Sequence, residues 1–131
     1  MARRSAPAAS AFGALLDTRL SIARLRAFGL TTVLDPVGPI NPVTEPVSVR
    51  VGTFSTTIPP GRFVLRRGTY GFVGTIGGVT LAVGIVPQAG GRYAVTVLAG
   101  PANLTGTVNP VSVQVTIGDD GGLRSVNARF T

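Results

Sequence analysis

The chain has no cysteine, no histidine, no lysine and no tryptophan among its 131 residues. Without cysteine there is no disulfide, no thiolate metal site and no thiol nucleophile, in either an oxidising or a reducing compartment. Without histidine the usual base near neutral pH, the Ser-His-Asp triad and the commonest metal ligand are all excluded. Acids are scarce as well: Asp17, Asp35, Glu45, Asp119 and Asp120 are the complete set. No continuous apolar run reaches the ~18 residues of a membrane-spanning helix.

What is present is Val, Ala, Leu and Ile, punctuated by 18 Gly and 10 Pro. That mixture predicts many short strands joined by turns. The length suits one domain, which would bury about 65–70% of its unfolded surface. All positive charge is arginine, giving a net +7. Arg3, Arg4, Arg19, Arg24 and Arg26 against Asp17 concentrate it towards the start, so the remainder is only mildly basic.

Residues 1–17 read as a basic leader with the outline of an export signal, poorly ordered or forming a short helix. Residues 18–131 are expected to be a single all-β domain, an antiparallel β-sandwich with a small β-barrel as the alternative. Residues 18–28 fit helix or strand. Strand is favoured, because Leu20 and Ile22, then Ala23, Leu25 and Ala27, alternate with a one-residue slip that a bulge would produce.

From Pro46 the alternation is clean. Val47, Val49 and Val51 share one face, as do Tyr70 and Phe72, then Leu81, Val83 and Ile85, then Tyr93, Val95 and Val97. Gly77-Gly78 is a hairpin signal, and Gln88-Ala89-Gly90-Gly91 closes a second hairpin. About seven strands are expected after residue 45.

One stretch partly repeats. Gly38-Pro39-Ile40-Asn41 followed by Pro46-Val47-Ser48-Val49-Arg50-Val51 returns as Gly100-Pro101-Ala102-Asn103 followed by Pro110-Val111-Ser112-Val113-Gln114-Val115. Residues 38–51 and 100–115 are thus expected to be related units, occupying equivalent positions in two packed sheets.

Ile58-Pro59-Pro60-Gly61-Arg62-Phe63, Gly74-Thr75-Ile76-Gly77-Gly78-Val79, Ala102-Asn103-Leu104-Thr105-Gly106-Thr107 and Val115-Thr116-Ile117-Gly118-Asp119-Asp120-Gly121 together resemble a β-sandwich module of uncharacterised bacterial proteins. The resemblance covers roughly residues 43–130. It implies a bacterial, envelope-associated β domain and carries over no catalytic residues.

Asp119 and Asp120 are the one paired carboxylate and the weak candidates for a metal. The oxygen set a hard cation needs is not visible around them, and Gly-Asp-Asp-Gly-Gly is itself a turn sequence. Arg50, Arg62, Arg66, Arg92, Arg124 and Arg129 fall at outward positions or strand ends, where they could contact an anionic ligand. Nucleic acid is disfavoured, because Phe63, Tyr70 and Phe72 face inward and leave no stacking platform; carbohydrate suffers the same shortage.

The sequence therefore points to a non-catalytic structural or interaction module, extracellular or in the cell envelope, with a cytoplasmic location as the alternative. Neither a cofactor nor a metal is expected. A protein partner or self-association is expected, with strand exchange through residues 18–34 as one route. A carbohydrate or anionic-polymer binder using outward arginines is the competing reading.

Overall fold

The computed structural model describes residues 11–131, and the first ten residues of the expected leader lie outside that range. Among the described residues the strands are β1 (Ala11–Phe12), β2 (Ala14–Ala23), β3 (Ala27–Asp35), β4 (Val47–Val51), β5 (Phe54–Ile58), β6 (Val64–Arg66), β7 (Thr69–Ile76), β8 (Val79–Gln88), β9 (Arg92–Gly100), β10 (Val111–Ile117), β11 (Asp120–Val126) and β12 (Arg129–Phe130). They form a small sheet in the order β1-β11-β10-β4-β5 and a large one in the order β12-β2-β3-β9-β8-β7-β6. Neither sheet closes on itself, so the architecture is the sandwich and not the barrel. Pairing is antiparallel except at the two-residue strands, where β1 runs parallel to β11 and β12 parallel to β2.

The alternation noted in the sequence becomes the two inner faces. Val47, Val49, Val51, Val111, Val113, Val115 and Ile117 of the small sheet meet Ile22, Leu30, Leu81, Val83, Ile85, Val95 and Val97 of the large one, all buried. β11 packs over β2 and β3, and β5 over β7. The rings of Phe28 and Phe54 bridge the sheets at 5.6 Å, and Phe63 packs on Phe72 at 5.8 Å. Phe63, Tyr70 and Phe72, the aromatics weighed as a stacking platform, belong to the core or its margin. Gly77 and Gly78, with φ of 57° and 80°, make the β7–β8 hairpin, a left-handed pair that twists with its strands.

Four expectations change. Residues 11–17, placed in a disordered or helical leader, are strand from Ala11 to Phe12 and from Ala14 onward. The slip near Ala23 is a hairpin turn, with Arg24 and Leu25 at φ of 51° and 54°; the bulge lies earlier, between Leu16 and Arg19, with Asp17 at φ 48°. Thr32, buried opposite that bulge, donates to the Leu16 carbonyl at 3.1 Å and shares a 2.8 Å hydrogen bond with the Thr18 hydroxyl. Nine strands follow residue 45, because the turn at Gly52 and Thr53 divides residues 47–58 into β4 and β5, and the glycine-rich segment expected only to turn also opens β11.

The fourth change concerns the repeat. Its two strands, β4 and β10, are antiparallel neighbours in one sheet, with Val47 opposite Ile117, Val49 opposite Val115 and Val51 opposite Val113. Arg50 and Gln114, the matching positions of the two copies, face each other, so a local two-fold axis passes between them. The lead-in loops consequently lie at opposite ends of the sandwich. In one, the Val43 N–H donates to Asn41 Oδ1 at 3.0 Å; in the other, the Thr105 N–H donates to Asn103 Oδ1 at 3.0 Å. Each turn buries Ile40 and Pro42, or Ala102 and Leu104, as a plug on the core.

Candidate interaction surface

The positions that point away from the core differ in chemistry between the sheets. On the small sheet the outward residues are Ser48 and Arg50 of β4, Ser55 and Thr57 of β5, Ser112, Gln114 and Thr116 of β10, and Leu123 and Ser125 of β11, as the register dictates. Ser48 and Thr57 share a 2.9 Å hydrogen bond, and Gln114 Nε2 donates to Thr116 Oγ1 at 3.3 Å. Around Arg50 these groups line a shallow cleft of about 280 Å³. It is a hydroxyl-rich, solvated face, ordinary for a one-sided antiparallel sheet.

The large sheet presents the opposite. Outward from β3, β9, β8 and β7 stand Thr31 and Val33; Ala94, Thr96 and Leu98; Thr80, Ala82, Gly84 and Val86; and Gly71, Val73 and Thr75. None of these is charged. Val73 is 82% exposed and Leu98 56%, and Val86 and, on neighbouring β6, Val64 are also exposed. The flat floor at Gly71 and Gly84 is open, since a Cβ at either would meet nothing within 4 Å. Charge appears only at the borders. Arg19 and Arg129 lie on β2 and β12 at one side, Arg66 on β6 at the other, and the Asp35–Arg92 pair (3.6 Å) closes one end.

The six arginines singled out in the sequence are therefore not brought together. Arg50 is on the small sheet's outer face, Arg62 in the exposed β5–β6 loop, and Arg66 and Arg129 on opposite edge strands of the large sheet. Arg92 pairs with Asp35. Arg124 sits opposite Val113, on the register of the inward positions, yet it is exposed at the sandwich margin, where its Nη1 donates to the Leu15 carbonyl at 3.1 Å. The paired carboxylates also separate. Gly118 and exposed Asp119 form the turn, whereas Asp120 opens β11 and is buried, accepting from the Val37 and Gly38 N–H groups at 3.1 and 2.7 Å.

Among the described residues no three His, Cys, Asp or Glu side chains gather into a metal-holding group, and no helix is long and apolar enough to cross a membrane. The apolar outer face was not singled out from the sequence. Its signal lies in the outward positions of residues 71–86 and 94–98, which carry no charge where a solvated face would have several.

Fold and surface together define an all-β, two-sheet sandwich with one polar and one apolar outer face. No protein-family model, no curated protein and no solved structure matches the chain.

Proposed function

We propose that this protein is a non-catalytic interaction module, of a bacterial envelope or extracellular setting, that packs the outer face of its large sheet against another macromolecule. The observation that carries this reading is the uncharged, apolar expanse over β3, β9, β8 and β7. Contiguous exposed apolar surface on that scale marks interaction sites, and it costs solubility in a chain that otherwise places arginine or hydroxyls outward. The envelope setting rests on the resemblance to bacterial β-modules. The scatter of the arginines weakens the reading as an anionic-polymer binder, which needs several cations on one face. Strand exchange is weakened as a reading, because residues 18–34 supply the second part of β2 and most of β3, and β3 lies between β2 and β9 in the chain's own sheet.

Retention on phenyl-agarose tests the surface directly. Leu98→Asp with Val73→Asp is expected to reduce retention strongly, whereas Ser55→Asp with Thr57→Asp on the other sheet leaves it nearly unchanged. Equal effects from the two pairs would remove the basis for assigning the surface to the large sheet.

A further inference from the structure

We infer that the occupant of the large sheet's outer face is a second copy of this chain, docked face to face about a two-fold axis; this rests on the interaction reading above and names its partner. Size is the first support. The four strands that carry the uncharged face, β3, β9, β8 and β7, at a spacing of about 4.8 Å, and eight residues at about 3.4 Å span roughly 19 by 27 Å. That is on the order of 500 Å² per copy, or about 1,000 Å² for the pair, the area a specific interface has to reach.

Charge is the second support. A chain of net +7 repels its own copies, and a close approach is least opposed where the facing surfaces carry no charge at their centre. The small sheet places Arg50 at the middle of its outer face; the large sheet keeps Arg19, Arg129 and Arg66 to its two sides. Shape is the third. Two twisted sheets stack about 10 Å apart when small and branched side chains interdigitate. Leu98 and Val73 stand as ridges beside the open floor at Gly84 and Gly71, so that ridges of one copy can enter the troughs of the other. A two-fold arrangement requires such self-complementarity of a single patch.

The arginine borders give the association a signature. Like charges meet at the rim, so added salt should tighten the pair, since screening shortens the reach of their repulsion from about 14 Å at 50 mM to about 4 Å at 500 mM. Association with an acidic partner or an anionic membrane would weaken instead.

Sedimentation equilibrium of the full chain up to about 200 μM, a range that covers micromolar affinities, at both salt concentrations is the test. The expected result is a monomer–dimer equilibrium several-fold tighter at high salt, weakened at least tenfold by Leu98→Asp. Leu98→Thr, which keeps strand preference, should weaken it in the same direction and guards against loss of folding in the aspartate variant. A monomer at both salt concentrations overturns the proposal, as does a dimer indifferent to both Leu98 variants. If the wild type is monomeric but phenyl-agarose retention still depends on Leu98 and Val73, the surface reading stands and only the second copy falls. Salt-sensitive binding of that monomer to 3:1 phosphatidylcholine–phosphatidylglycerol vesicles would assign the face to a lipid surface and equally overturn it.

Discussion

The carboxylate of Asp120 is buried by the segment that it holds. Both oxygens accept backbone N–H groups of Val37 and Gly38, which ties the loop after β3 to the start of β11. Asp120→Ala would strand two part-buried donors, and the expected loss is about 2–3 kcal/mol of unfolding free energy. Asp120→Asn retains one acceptor and should lose about half as much, with urea midpoints as the check. An alanine variant within about 0.5 kcal/mol of the parent would mean that water replaces the carboxylate. None of this was legible in Gly118-Asp119-Asp120-Gly121, because the partners are 82 and 83 residues away in sequence. Arg124 and the Leu15 carbonyl present the same case at a separation of 109. Phe72 was legible as core because its burial follows from alternation along β7, a local property.

At the scale of elements, the repeated loops do the same job twice. Asn41 and Asn103 each close an Asx turn that holds a Gly-Pro segment over one end of the core. Asn41→Ala and Asn103→Ala are each expected to cost about 1 kcal/mol, comparable to one another, while Asn103→Asp keeps the acceptor and is nearly neutral. Thermal or urea unfolding of the three variants checks it; a loss at one site only would show that the loops are alike in sequence but not in role. The turns and strand faces could be read beforehand, since Gly77-Gly78 and the valine alternation act within a few residues. Which strands become neighbours could not. Two copies of Pro-Val-Ser-Val suit adjacent strands or facing sheets equally well until the intervening chain is placed.

For the whole molecule, the two ends of the described chain tie the layers together. β1 joins the small sheet and β2 the large, while β11 joins the small and β12 the large, so each end crosses between sheets. The Thr131 N–H donates to the Ile22 carbonyl at 2.9 Å, and the Thr131 carbonyl accepts from the Arg24 N–H at 3.0 Å. Removing residues 129–131 should leave the fold intact but open the edge of β2. In hydrogen exchange the Arg24 amide would then lose protection while β3 amides, covered on both sides by β2 and β9, keep theirs. Unchanged protection at Arg24 would show that β12 does not hold that edge. The all-β class, the turns and the inward faces could be read from residue order, because strand alternation and turn chemistry are set by residues a few positions apart. The absence of histidine and cysteine ruled out their chemistry at the same level. The sheet order, the pairing of the two repeat strands, the dispersal of the arginines and the uncharged outer face emerged with the folded arrangement. Each of those depends on which distant strands lie about 4.8 Å apart, and that spacing joins short, innocuous runs such as Ala82, Leu98 and Val73 into one surface.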